Sequence, residues 1–252
     1  MTMLRLNGIT KVFGGLTALQ DVSFSVTGKS ITGVIGPNGA GKTTLFNVVT
    51  GLYTQTSGEV YLDGKNISFF NTEALAGLGL VRTFQNVELF GQMTVLENVM
   101  VGLHTGSTSG IFSCAFKLPH QIREEKYIRK RSLEWLEFTG LADLAGMKAG
   151  NLPFGKGRLL EISRVLAAKP RVILMDEPAA GLNSRETAEL ALLIRKIRNT
   201  GITIVLVEHD MDLVMDICDS IVVLNLGKKL AIGTPREIQE KPEVISAYLG
   251  VD

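Results

Sequence analysis

Gly36-Pro37-Asn38-Gly39-Ala40-Gly41-Lys42-Thr43 is the stretch from which the rest of the chain is read. It satisfies GxxxxGK[ST] at every fixed position. The apolar segment Ile31 to Ile35 precedes it, and a helical pattern from Thr44 to Val49 follows. Strand, turn and helix in that order are the context the motif requires. Glycines let consecutive backbone N–H groups turn inward, and the helix behind them adds the positive end of its dipole. Such a cradle surrounds the β-phosphate of a nucleotide. Lys42 sets a point charge on β- and γ-phosphate oxygens, and the Thr43 hydroxyl can ligate Mg²⁺. The alternative is a glycine-rich turn with an incidental lysine; the flanking strand and helix weigh against it.

A second feature belongs with the first. Asp176 and Glu177 end the apolar run Val172 to Met175. An aspartate at the end of a buried strand, beside a phosphate loop, is the expected holder of Mg²⁺. Glu177 is then placed to polarise an attacking water as general base. The other reading is an acidic pair capping the turn that Pro178 begins.

Two kinds of strand pattern surround these residues. Val22, Phe24 and Val26 alternate with Ser23 and Ser25, and Val60 and Leu62 alternate with polar neighbours, as in half-exposed antiparallel strands. Val34-Ile35, Val172 to Met175, Ile202 to Val207 and Ile221 to Leu224 are continuous apolar runs, which suit parallel strands buried on both faces. Leu190, Leu193, Ile194 and Ile197 recur at helical spacing between two of them. Thr234-Pro235-Arg236-Glu237 is a capping box with proline at the first helical position. An α/β core with right-handed crossovers follows.

From about Thr94 to Gly150 helical patterns dominate. Residues 104–121 are rich in Gly, Ser and Thr and read as a loop, and a charged helix runs from Arg123 to Phe138 with Gly140 as its stop. The expected organisation is one domain over 1–252. Its nucleotide-binding core is 1–85 with 165–252, and a helical subdomain, 86–164, is inserted.

Composition bounds the function. The 252 residues are 45% hydrophobic and 20% charged, with net charge +1. Nothing there advertises nucleic acid, and the basic run Arg123 to Arg131 is interrupted by Glu124 and Glu125, as on a solvated helix face. Cys114 and Cys218 form no CxxC, so a disulfide scaffold or zinc site is not expected and a reducing cytoplasm is. The N-terminus lacks the apolar core of a signal peptide. No apolar stretch approaches the roughly 18 residues of a membrane span.

These residues and their order resemble the nucleotide-binding subunit of ABC transporters, over nearly the whole chain. The resemblance implies ATP and Mg²⁺, held by Gly36 to Thr43 and Thr44. It implies an adenine-stacking aromatic at Phe13, where a buried strand phenylalanine is the alternative. It also implies a Mg²⁺-touching glutamine at Gln85, within Arg82-Thr83-Phe84-Gln85-Asn86, and a switch histidine near the γ-phosphate at His209. His104 and His120 are expected on the surface. The signature loop departs from the common Leu-Ser-Gly-Gly-Gln. Here it is Leu152-Pro153-Phe154-Gly155-Lys156. Pro153 brings neither hydroxyl nor N–H. In the family this loop reaches a partner's ATP, so the composite site using it is expected to be weakened. Asn183 stands where the loop after Glu177 commonly has aspartate.

Within the family, Arg82 to Asn86, the insertion after Gly102 and the ending Ala247-Tyr248-Leu249-Gly250 are similar to the ATP-binding subunit of branched-chain amino-acid uptake systems. That similarity implies a second, different ATPase in a heterodimer, two membrane permease subunits, and indirectly a periplasmic substrate-binding protein. It places the chain on the cytoplasmic face of the inner membrane. Urea or amide importers, lipopolysaccharide-export ATPases and soluble ATPases of iron–sulfur assembly remain alternatives.

Overall fold

The computed structural model describes residues 1–83, 88–104 and 119–249. Its backbone divides into two units, Met1–Gln85 with Arg171–Asp252, and Asn86–Pro170.

The first unit begins with two long antiparallel strands, β1 (Thr2–Phe13) and β2 (Leu16–Thr27). The chain leaves through β3 (Ile31–Ile35) and α1 (Lys42–Val49), then returns through β4 (Ser57–Leu62) and β5 (Lys65–Asn66). These give an antiparallel sheet of order β2-β1-β4-β5. Leu4, Leu6 and Ile9 are buried on β1 although their spacing is not even. A register shift between Leu6 and Ile9 absorbs the extra residue and keeps all three inward.

A short helix α2 (Thr72–Gly77) leads to β6 (Leu80–Arg82), the edge of the second sheet. That sheet also holds β7 (Val172–Asp176), β8 (Thr203–Val207), β9 (Ser220–Asn225) and β10 (Lys228–Gly233). Its order is β10-β9-β3-β8-β7-β6. Only the β9–β10 pair is antiparallel. Every residue of β3, β7 and β8 is buried, as their unbroken apolar runs require. Leu45, Phe46, Val48 and Val49 of α1 share one core with inward residues of both sheets.

The second unit is helical: α3 (Val95–His104), α4 (Pro119–Phe138) and α5 (Phe154–Ala167). Val95 and Val99 of α3, Leu136 of α4 and Leu160 of α5 meet in its core. Arg123, Arg129 and Lys130 are exposed on α4, the solvated face expected of that run. The Gly/Ser/Thr-rich stretch lies almost wholly outside the described residues, as does Cys114.

The chain then re-enters the first unit with α6 (Ser184–Asn199), α7 (Met211–Ile217), α8 (Pro235–Gln239) and α9 (Pro242–Leu249). Leu190, Leu193, Ile194 and Ile197 form the buried stripe of α6. The capping box at Thr234 is formed in both directions. No helix among the described residues is long and apolar enough to cross a membrane.

Candidate functional site

In an open α/β sheet, ligands bind beyond the carboxyl ends of the parallel strands. Strands β6, β7, β8 and β3 are neighbours, and their ends deliver Arg82, Asp176-Glu177, Glu208-His209 and Gly36 to one edge of the sheet.

The phosphate loop leaves β3 at Gly36 and turns into α1 at Gly41, whose φ is 101° and which offers no side-chain cap. The first-turn N–H groups of α1 therefore lack a side-chain acceptor from the cap, and helix N-termini of that kind hold anions. The helix starts at Lys42, two residues before the helical pattern in the sequence, so Lys42 and Thr43 belong to its first turn. Lys42 is 7% exposed. Its ammonium donates to the carbonyls of Gly36 at 2.6 Å and Pro37 at 3.0 Å. Burial lowers its pKa, while Glu177 and Asp176 act in the opposite sense. A cation held by two loop carbonyls is ready to exchange them for phosphate oxygens. Asn38, Gly39 and Thr43 are exposed, whereas Ala40 is buried.

Asp176 is buried at the last position of β7. Glu177 follows in a left-handed conformation, φ 46°, with its N–H bonded to Val207 O at 2.9 Å. A non-glycine residue held there costs about 1–3 kcal/mol, and such residues cluster at functional sites. The turn directs its carboxylate toward β8, where Oε1 meets His209 Nε2 at 2.9 Å. The two residues singled out as base and switch are thus in hydrogen-bond contact, 32 positions apart in sequence.

Three further residues make contacts that sequence reading missed. Glu208 is buried and accepts from the backbone N–H of Ala179 at 2.7 Å and of His209 at 3.0 Å. It ties the turn after Glu177 to the turn carrying His209, and burial raises its pKa despite those bonds. Tyr53 meets Phe13 edge-on, ring centroids 5.3 Å apart. Lys11 lies over the Phe13 ring at 4.7 Å and donates to Thr54 O at 2.7 Å. Phe13 is 40% exposed, which removes the alternative of a buried strand residue. An exposed β-branched residue at position 53 would carry no such ring contact; the aromatic there was the available signal.

Asn183 is the N-cap of α6, accepting from Arg185 N–H at 3.1 Å and Glu186 N–H at 3.0 Å. In the second unit Pro153 is the N-cap of α5, and the first bond of that helix runs from Gly157 N–H to Pro153 O at 3.0 Å. The N–H groups of Phe154, Gly155 and Lys156 precede that bond. Phe154 is exposed, Gly155 is buried and Leu152 is half-buried. Gln85 and the side chains of His104 and His120 lie outside the described residues.

The donor set fits Mg²⁺ rather than a cage-bound metal. Among the described residues no three His, Cys, Asp or Glu side chains are grouped so that they could hold a metal ion. A threonine hydroxyl and one carboxylate beside a phosphate cradle are what Mg²⁺ takes, since it keeps water and substrate phosphates as its other ligands.

The ABC transporter model matches residues 19–180, and the model for branched-chain amino acid ATP-binding cassette transporters matches residues 228–252. The chain is 46% identical to the high-affinity branched-chain amino acid transport ATP-binding protein BraF of Pseudomonas aeruginosa, over 98% of each chain. Among solved structures it is similar to the ADP conformation of MJ1267, an ATP-binding cassette of an ABC transporter. That likeness has TM-score 0.87 and 35% identity, with 99% of both chains covered. It is also similar to the dimeric post-hydrolysis structure of the cassette MJ0796 bound to ADP and Pi, with TM-score 0.77 and 27% identity over 93% of this chain and 99% of that one. Phosphate loop, strand-end carboxylates and full-length likeness agree: this chain belongs to the ABC transporter family, as one of its ATP-hydrolysing, nucleotide-binding subunits.

Proposed function

We propose that this chain hydrolyses ATP to energise a branched-chain amino-acid importer. Its place is the cytoplasmic face of the inner membrane, beside two permease subunits and a second, different cassette, with a periplasmic binding protein delivering the substrate. The observation that carries the substrate class is the full-length likeness to BraF, joined to the branched-chain model's match over β10, α8 and α9.

The chemistry follows from the sheet edge. First-turn N–H groups of α1 and the loop from Gly36 to Gly41 hold the β-phosphate. Lys42 leaves the Gly36 and Pro37 carbonyls for phosphate oxygens. The face of Phe13 carries the adenine. Thr43 and Asp176 would hold Mg²⁺, and the family resemblance adds Gln85 to that set. Mg²⁺ when bound neutralises charge on the β- and γ-phosphate oxygens. Glu177 takes a proton from the attacking water, and His209 orients that carboxylate and reaches toward the γ-phosphate. Positioning and charge stabilisation, not covalent chemistry, carry the rate.

Two ATP molecules lie between facing cassettes, and their preference for the closed pair drives the conformational cycle. The signature loop Leu152 to Lys156 serves the partner's nucleotide. Pro153 supplies no hydroxyl and no N–H, so that composite site is the weaker one, and the site built on this chain's phosphate loop is the stronger. Equal hydrolysis at both sites of a trapped complex overturns this asymmetry.

The experiment for the whole reading is affinity purification of the Glu177→Gln chain with ATP from membranes of its source cells. Two different permeases and a second cassette support it. Export components with this cassette paired to itself, a urea or amide binding protein, or soluble partners alone overturn the substrate or the transport class while leaving the ATP chemistry standing.

A further inference from the structure

Arg82 has no role in the account above, yet it is the last residue of β6 and its side chain is 7% exposed. Its Nη2 donates to Asp176 Oδ2 at 2.5 Å. Its Nη1 donates to Asn47 Oδ1 at 2.6 Å. The guanidinium also lies over the Phe46 ring, 5.6 Å from the centroid. Phe46 and Asn47 belong to α1, the helix whose first turn carries Lys42 and Thr43. One fork-shaped cation therefore joins β6, the carboxylate at the end of β7 and the phosphate-loop helix.

A buried ion pair is retained cheaply only with good geometry and satisfied hydrogen bonds, and an apolar pair of similar volume serves stability at least as well. Stability alone thus gives little reason for this arrangement. Its geometry does something an apolar pair cannot. Arg82 engages Oδ2 and so restrains the Asp176 carboxylate, with Oδ1 left outside that bond. Carboxylates that serve metals are generally held by such an outer hydrogen bond, and losing it typically costs about 10–100-fold in metal affinity or activity.

We propose that Arg82 is a positioning residue for the nucleotide-bound divalent cation. It orients Asp176 for the metal's water shell and keys its position to α1 through Asn47. The inference rests on Asp176 being the Mg²⁺ holder.

The test uses the full chain in a Glu177→Gln background, which prevents turnover. Affinity for a fluorescent ATP analogue is measured in EDTA and in saturating Mg²⁺, and the ratio of the two is the metal coupling. Arg82→Met is expected to lower that ratio about 10–100-fold, with the affinity in EDTA changed by no more than about two-fold. Arg82→Lys keeps the charge but not the fork, and is expected to fall between. The double variant Arg82→Met/Asp176→Asn is expected to be no worse than Asp176→Asn alone, because the two residues act through one contact.

If Asp176→Asn itself keeps the wild-type ratio, Asp176 is not the metal holder and the underlying assignment fails. If Asp176→Asn collapses the ratio while a folded Arg82→Met keeps it, Arg82 is a structural ion-pair partner and the proposal is overturned. Should Arg82→Met not fold, Arg82→Lys decides: a wild-type ratio there also overturns it.

Discussion

Replacing Gly36 by alanine tests whether the phosphate loop is positioned by contact with the sheet beneath it. A Cβ on Gly36 would stand 2.1 Å from the backbone carbonyl oxygen of Leu224, at a φ of +154°. The obstacle is main chain in β9, which pairs with β3 through Val34–Val222 and Ile35–Val223, so it cannot retreat without parting the two strands. The loop must instead lift by about 1 Å or more. Overpacking of this kind costs about 1–3 kcal/mol, and the left-handed backbone adds about 1 kcal/mol. Gly39 is the internal control. Its φ is +80° but an added Cβ meets nothing within 4 Å, so only the backbone penalty applies.

Each kcal/mol moves the melting midpoint of a chain this size by about 2–4 °C. Gly36→Ala should therefore melt roughly 2–12 °C below Gly39→Ala. It should also lose about 100-fold in kcat/KM for ATP, the penalty a 1 Å misplacement carries. Thermal unfolding of the nucleotide-free proteins and steady-state hydrolysis are the assays. Equal midpoints for the two variants would refute the steric account of the loop.

Other outcomes follow from the same geometry. Burial holds the Lys42 ammonium below its ordinary 10.5, and phosphate favours the charged form. ATP binding therefore takes up a proton at alkaline pH. Affinity should fall as pH rises through the lowered pKa of the free protein, and Lys42→Met should flatten that profile in a binding titration. Asn183→Ala removes the side-chain acceptor of two backbone N–H groups at the start of α6 and should cost about 1 kcal/mol, while Asn183→Asp should melt like wild type because either residue caps. Burial, reinforced by Asp219 and Glu208, pushes the Cys218 thiol up to about 12. In a Cys114→Ser background, iodoacetamide should label the native protein only after denaturant is added; labelling at mildly alkaline pH contradicts that burial.

Much of the site was legible because its chemistry is written in fixed local spacing. Gly36 to Thr43 needs no distant partner to be recognised, and Asp176-Glu177 is marked by the abrupt end of an apolar run. The capping box at Thr234 and the stripe of α6 are equally local. What escaped is long-range. Arg82 and Asp176 are 94 positions apart, and only the adjacency of β6 and β7 brings them together. Glu208 looks like an ordinary motif neighbour of His209 until its contact with Ala179, 29 positions away, is seen. Tyr53 becomes part of the Phe13 surface through the return of the chain after α1. Asn183 resembles the aspartate common at that place, but its structural work as the cap of α6 shows only in the fold.

The central claim is that Glu177, held left-handed against His209, is the base that activates water. It is tested most directly by Glu177→Gln, with equilibrium ATP binding and single-turnover hydrolysis measured on the same preparation. The predicted result is ATP affinity within about two-fold of wild type, with hydrolysis slowed about 10²–10⁴-fold, the range a general base contributes. Hydrolysis at the wild-type rate with binding intact would contradict it.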